Sequence, residues 1–360
     1  MIKSFSNFII QKDNLIKNIK NFKHFRPNVK ICAVVKANAY GMGMNTICKI
    51  VYNLVDFFGV ACAKEALKLR KITKKSILIL GSVCEKNILI CLKNKISLTV
   101  SSLKELNEIL VVAEKYNLIA NIHLKINSGM NRLGFASEEE YQQALSIIYN
   151  NSSLFLEGIY THFADVNNKD RTEKQYLKFK KFLSYGKLKE TIIHAASSNF
   201  ALLNDKYCFD MVRLGILMYG YAEIKPPFEL LPICKITSKI IKIQNVSADD
   251  FVGYGSGFFA KRNLKVAVVP IGYADGFLKS YAGKAQIIIK NKKCFVIAVC
   301  MDMIVVNITN IKCNEEDEVV ILGESKNQKI TAEDYALWGK TIPYEVLTNL
   351  KIERFNYLIV

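Results

Sequence analysis

Lys36 ends a run of buried-strand character, in Ala33-Val34-Val35-Lys36-Ala37-Asn38-Ala39-Tyr40-Gly41, and a glycine-flanked loop is expected after it. Burial at a strand end disfavours the ammonium form and frees a nucleophilic amine, the group that Schiff-base chemistry requires. Taken alone, the residue reads better as an ordinary lysine whose stem lies along the strand end. Lys125 poses a sharper problem. It lies within His123-Leu124-Lys125-Ile126-Asn127-Ser128-Gly129-Met130-Asn131-Arg132-Leu133-Gly134, where a cation inside an apolar strand must be neutralised or lose its proton. His162 closes Tyr160-Thr161-His162, and a structural histidine with satisfied hydrogen bonds is its plain alternative. His194-Ala195-Ala196-Ser197-Ser198-Asn199 offers hydroxyl donors suited to a phosphate. Val212-Arg213-Leu214-Gly215-Ile216 places an arginine inside an apolar strand, before a glycine whose amide is open to an anion.

The elements that must position these groups alternate. Eight apolar, β-branched runs occur at Ile31–Val35, Phe57–Ala61, Ile77–Leu80, Leu98–Val100, Asn121–Ile126, Leu156–Thr161, Thr191–Ala196 and Met211–Ile216. Room for a helix lies between most neighbours, and Ala63–Arg70 and Ser102–Tyr116 carry apolar residues at helical spacing. Ser102 with Glu105 resembles a capping box. Eight strand–helix units of parallel type predict an α/β fold, a (β/α)8 TIM-type barrel over 11–225, with catalytic groups at the carboxyl ends of its strands. Five of the eight runs end in groups suited to a cofactor with an aldehyde, a phosphate and a pyridine ring.

After Pro232 the pattern changes. The runs Ile236–Val246, Val266–Pro270, Gln286–Lys290, Cys294–Val299, Met303–Ile308 and Glu318–Leu322 are separated by short turns, with Asn291-Lys292 as a hairpin candidate. A mostly antiparallel β domain is expected over 226–360, joined by a strand from residues 1–10. Lys225-Pro226-Pro227 is the expected linker, and short helices are expected near Thr331 and over Tyr344–Leu350.

A formal charge of +18 raises the question of nucleic acid. The lysines are scattered in ones and twos, however, with no arginine stripe or aromatic-interleaved block, so a solvated surface is expected and no nucleic-acid role. No apolar run reaches the ~18 residues that a membrane span needs, and the first residues do not have the form of a secretion signal. The ten cysteines lie mostly inside apolar runs and form no Cys-x-x-Cys, which suits a reducing, cytoplasmic setting. The four histidines are far apart in sequence, so no metal site is expected.

These residues and their order resemble the bacterial alanine racemase family, fold type III pyridoxal-phosphate enzymes, over nearly the whole chain. Val34 through Gly41 matches the family's cofactor-lysine signature. Lys125 through Gly134, Tyr160 through Phe163, Met211 through Gly220, Gly253-Tyr254-Gly255, Pro270 through Gly276, Cys300-Met301-Asp302 and Thr341 through Leu347 match in turn. The resemblance implies pyridoxal 5'-phosphate bound covalently to Lys36. Its phosphate would be held by Tyr40, Ser198, Tyr344 and the amides of Gly215 and Ile216, with His162 against the ring and Arg213 at the pyridine nitrogen. Lys36 and Tyr254 would be the two bases that exchange the Cα proton, Lys36 for D-alanine and Tyr254 for L-alanine. Arg132, aided by the Met301 backbone, would take the substrate carboxylate. Lys125 would be open to carbamylation, and Tyr273, Cys300 and Asp302 would support the site. Because the family's β domain reaches the partner subunit's barrel mouth, a homodimer with shared active sites is implied, supplying D-alanine for peptidoglycan.

Three positions depart from the family pattern: Met42 for a usual His, Asn127 for a common Asp, and Ser197 for the usual Asn. The Arg often found before Cys300 is also missing. Rival readings are a racemase of serine or lysine on the same scaffold, a decarboxylase of the same fold type, and a non-catalytic barrel that carries pyridoxal phosphate. Tyr273 and Tyr344 favour a small substrate, and Arg213 argues against a decarboxylase, which wants a carboxylate opposite the ring nitrogen.

Overall fold

The computed structural model describes residues 4–255 and 257–360. It separates into two compact units: Ile16–Ala39 with Met44–Leu230, and the residues up to Leu15 with Tyr40–Gly43 and Leu231–Val360.

The first unit is built on eight strands: β1 (Lys30–Val34), β2 (Phe57–Val60), β3 (Ser76–Ile79), β4 (Ser97–Val100), β5 (Ala120–Lys125), β6 (Leu154–Tyr160), β7 (Ile192–His194) and β8 (Met211–Leu214). All neighbours pair in parallel, in the order β7-β6-β5-β4-β3-β2-β1-β8. The Arg213 amide donates to the Ala196 carbonyl at 3.0 Å, and Ser197 bridges to Arg213, which joins β7 to β8 and closes the barrel. The strands are apolar on both faces because side chains fill the barrel inside and helices cover it outside. Each expected barrel run contains a strand, and the Ala63–Arg70 helix lies where its periodicity puts it.

The capping box at Ser102 is only half formed. Ser102 Oγ accepts from the Glu105 amide, but the Glu105 carboxylate accepts from the amide and hydroxyl of Ser101, at 2.7 Å each, instead of returning to Ser102.

The second unit holds a sheet in the order Lys242–Val246, Leu264–Val269, Ile304–Asn307, Lys292–Val299, Gln286–Ile289, Glu318–Ser325, Cys234–Lys239, Asn7–Ile10 and Asn356–Ile359. Its pairings are antiparallel except the last, which is parallel. The expected single run Ile236–Val246 is two strands, since Ile240 and Ile241 turn the chain from one pairing to the next. The hairpin turn is one residue earlier than expected. Ile289 pairs with Lys292, so Lys290 and Asn291 are the turn residues, at φ 47° and 59°. That double left-handed geometry matches the strand twist, and asparagine tolerates it well. Helices at Ala332–Gly339, capped by Thr331, and Pro343–Thr348 close the chain. Among the described residues no helix is long and apolar enough to cross a membrane.

Candidate active site

Lys36 follows β1 and is half-buried. What comes after it is not an ordinary loop. Ala37, Asn38, Ala39 and Tyr40 all take left-handed angles, with φ between 52° and 57°. A left-handed turn costs an L-residue about 1–2 kcal/mol each, so the surroundings must hold it. Within the barrel unit the Glu65 carboxylate accepts from the Ala37 amide at 2.7 Å and from the Ala61 amide at 2.8 Å. Asn38 Oδ1 accepts from Met44 N–H at 2.9 Å, and Ala39 N–H donates to the Val35 carbonyl at 2.8 Å. Lys36 is thus pinned at the base of a strained turn. Burial, the Arg132 guanidinium and, opposed by Glu65, that of Arg213 lower its pKa and favour the free amine.

Lys125 ends β5 with its Nζ 5.3 Å over the Tyr160 ring and no acceptor for it among the described residues. Burial first, then Arg132, Arg213 and Lys36, bring its pKa down to about 8. The cation problem visible in the sequence is therefore real. Arg132 stands exposed on a loop that leaves β5 and returns, Asn127 N–H donating to the Phe135 carbonyl and Phe135 N–H to that of Lys125. Asn127 shapes this loop: its Oδ1 accepts from the amides of Gly129 and Asn131, so an amide serves here where the family pattern has a carboxylate. Gly134 is required, because at φ +121° a Cβ would lie 2.6 Å from Asn127 N and 2.7 Å from Ile126 C.

Arg213 is buried on β8. Its NH1 donates to His194 Nδ1 at 2.8 Å, and its NH2 to the carbonyls of Thr161 and Ala195, both 2.8 Å, and to His162 Nδ1 at 3.1 Å. No carboxylate pairs with it among the described residues, and its Nε is left without an acceptor. Burial lowers its pKa to about 10, which still leaves a donor at neutral pH. Burial and the cations Arg213, Arg132, Lys125 and Lys36 hold His162 well below the usual histidine range, so its ring is neutral.

Ser198 is buried, and its Oγ accepts from the amides of Gly215 at 3.0 Å and Leu217 at 3.4 Å, which leaves its own proton to donate elsewhere. The amide of Ile216, also buried, meets no acceptor among the described residues. Four basic side chains and these unspent donors, with no carboxylate paired to those side chains among the described residues, suit a phosphate and a ring nitrogen, so the residues fit the group that the resemblance implies.

In the second unit Tyr40 is buried with its ring 6.0 Å from that of Tyr344, and burial pushes its hydroxyl above the usual tyrosine range. Met42 is fully buried there, and its carbonyl accepts from the Tyr357 hydroxyl at 2.6 Å. Tyr254 is 78% exposed, Met301 52% and Tyr273 42%. The Tyr273 amide donates to the Cys300 carbonyl and that of Ala274 to Met301, while Arg354 pairs with Asp275 at 2.5 Å and Asp302 at 2.7 Å. Sequence reasoning missed Glu65, Arg354 and the convergence of His123, His162 and His194. The histidines lie in three separate runs, and only barrel closure brings them together.

An α/β barrel with a lysine just after its first strand and an arginine on its last, joined to a β domain, defines a class of cofactor-dependent racemases and their relatives. The model of the alanine racemase N-terminal domain matches residues 10–223, and that of the C-terminal domain residues 233–356. The chain is 36% identical over 358 residues to an alanine racemase of Listeria monocytogenes serotype 4a (strain HCC23), covering 96% of both chains. It superposes on the crystal structure of alanine racemase from E. faecalis with a TM-score of 0.94, at 27% identity and full coverage of both. Against alanine racemase from Bartonella henselae with covalently bound pyridoxal phosphate the TM-score is 0.90, at 25% identity and 99% coverage of each. The chain belongs to the alanine racemase family.

Proposed function

We propose that this enzyme interconverts L-alanine and D-alanine with pyridoxal 5'-phosphate, through proton exchange at Cα between Lys36 and Tyr254. The observation that carries the reading is the partly desolvated Lys36 amine just after β1, set among cations and unspent donors that suit the cofactor. When bound, the cofactor acidifies the substrate Cα proton by drawing electron density toward its ring. Lys36 would hold the cofactor through Nζ, and as a free amine would serve as base and acid on one face of Cα. Tyr254 moves the proton on the other face. Arg132 pairs with the substrate carboxylate beside the Met301 backbone. Ser198, the amides of Gly215 and Ile216, Tyr40 and Tyr344 would hold the cofactor's phosphate, with His162 beside the ring. Arg213 would donate to the pyridine nitrogen, and because a guanidinium does not give up its proton, that nitrogen would stay unprotonated. Carbamylation would turn Lys125 from a competing cation into an anion that orients Arg132. Tyr273, Cys300 and Asp302 support the Met301 turn.

The barrel, over 11–225, binds the cofactor. The β domain, 226–360 with strand 1–10, completes the site of the other subunit in a homodimer. Support for this comes from the exposure of Tyr254, Phe251, Phe259, Met301 and Met303 on that domain, large side chains that a partner's surface could cover. All ten cysteines are free thiols, which supports a cytoplasmic setting, where D-alanine would feed peptidoglycan synthesis. The test is a chiral assay on protein loaded with pyridoxal phosphate. Pure L-alanine should become a mixture that D-amino-acid oxidase detects, faster than L-serine or L-lysine does. A yellow protein that leaves L-alanine unchanged would sink the proposal.

A further inference from the structure

Beneath Arg213 runs a chain of hydrogen bonds whose direction can be worked out atom by atom. Arg213 NH1 can only donate, so His194 Nδ1, 2.8 Å away, must be an unprotonated acceptor. A neutral His194 then carries its proton on Nε2. That atom lies 2.9 Å from His123 Nδ1, which must accept in turn. His123 therefore carries its proton on Nε2 and donates it to the Glu157 carboxylate at 3.0 Å. Every bond fits one assignment, and reversing any of them sets two donors face to face.

The surroundings are built for this order. His123 and His194 are fully buried. The His194 ring stacks on Tyr160 at 4.7 Å and 6° between planes, and the Tyr160 hydroxyl is tied to Thr99 Oγ1 at 2.8 Å. Gly158 faces His123 in the β5–β6 register, and a Cβ there would collide with His123 Nδ1, the atom that links the two rings. Burial, then Arg213 and His123, hold His194 well below the usual histidine range. Burial pushes the Glu157 carboxyl up, but its interactions with His123, Ser97 and Lys30 together outweigh that and keep the group ionised.

We propose that Glu157 and His123 are positioning residues for the reaction: through His194 they lock one arm of Arg213, and so aim the guanidinium at the cofactor's ring nitrogen. This rests on the role proposed for Arg213. Glu157, three residues below the end of β6, touches no reacting group and acts only through the two rings.

The chain has four histidines, so imidazole 15N NMR on uniformly labelled protein loaded with pyridoxal phosphate can read each tautomer. His123 and His194 should both be neutral with the proton on Nε2. A charged ring, or a proton on Nδ1 of either, overturns the proposal whatever the activity on alanine. Glu157→Leu keeps the volume but removes the acceptor. It should give His123 a mixed tautomer, shift the His194 signals and lower kcat about tenfold with KM within about twofold. Glu157→Gln, whose amide oxygen can still accept, should restore both signals and most of kcat. Unchanged His194 signals and kcat in Glu157→Leu refute the relay. If that variant does not fold, the Gln variant decides, and a flipped His123 with wild-type kcat refutes it equally. Both rings neutral with the proton on Nε2, in a wild-type protein inert toward every amino acid, would instead separate an intact relay from a failed functional reading.

Discussion

The barrel end and the β domain carry their candidate residues in opposite ways. In the barrel, Arg213, Ser198, His162 and Lys125 are buried or nearly so and mutually constrained within one chain. In the β domain Tyr254 and Met301 stand in solvent, on segments that donate little to their side chains. One half of the chemistry is preorganised by the fold of a single chain, where fixed dipoles and low dielectric make each donor count. The other half needs a surface to meet it. On the proposed reading, most of the cofactor's hold belongs to the barrel, and completion of the proton exchange to whatever covers Tyr254.

Lys36→Ala should break the comparison most severely. Activity is expected to fall by more than about 10⁴-fold, and dialysed protein should lose the absorbance of bound pyridoxal phosphate. Retained absorbance would remove Lys36 as the attachment point. Tyr254→Phe should cost about 10²–10⁴ in kcat while cofactor absorbance and melting temperature stay at wild type. Unaltered turnover in both directions would take Tyr254 out of the mechanism.

A pair of glycines sharpens the contrast through stability. Gly134→Ala meets backbone at 2.6–2.8 Å and should cost about 2–4 kcal/mol by urea titration. Gly255→Ala, at φ +61° but with nothing within 4 Å of the added carbon, should cost only about 1 kcal/mol. Equal losses would mean that the barrel loop relaxes as freely as the exposed one.

A pH-dependent effect concerns Lys125 and has a defined sign. Its pKa is about 8 in the folded chain, against ~10.4 unfolded, so between those values the unfolded chain binds more protons and stability rises with pH. Below pH 8 the penalty of the buried cation is fully present. Lys125→Met should therefore stabilise the protein at pH 7 by about 1–2 kcal/mol in bicarbonate-free buffer, with the gain gone by about pH 10.5. Bicarbonate should shrink the gain at pH 7, since a carbamate removes the cation. A gain independent of pH would point to packing instead of charge.

Much of the architecture was legible because apolar runs and their spacing report burial directly. All eight barrel strands lie where such runs occur, and Ala63–Arg70 is the helix its periodicity implies. Local geometry was less legible. The hairpin turn shifted by one residue to Lys290-Asn291, because strand pairing and not composition selects which residues turn. Asn38 alone in Ala37-Asn38-Ala39 tolerates left-handed angles, too little to announce a turn of four such residues; Glu65 and Asn38 hold it through bonds to the backbone.

What the sequence determined by itself was therefore a set of elements and the polar residue that ends each one, because hydrophobic period and strand ends are local properties. It also stated the cost of Lys125. Only tertiary structure decided which ends meet. Residues 123 and 194 lie on separate strands, yet closure of the parallel barrel brings their rings to 2.9 Å and aligns them with Arg213 and Glu157. Proton order along those rings follows from the one member that can only donate, and no spacing in the sequence encodes that contact.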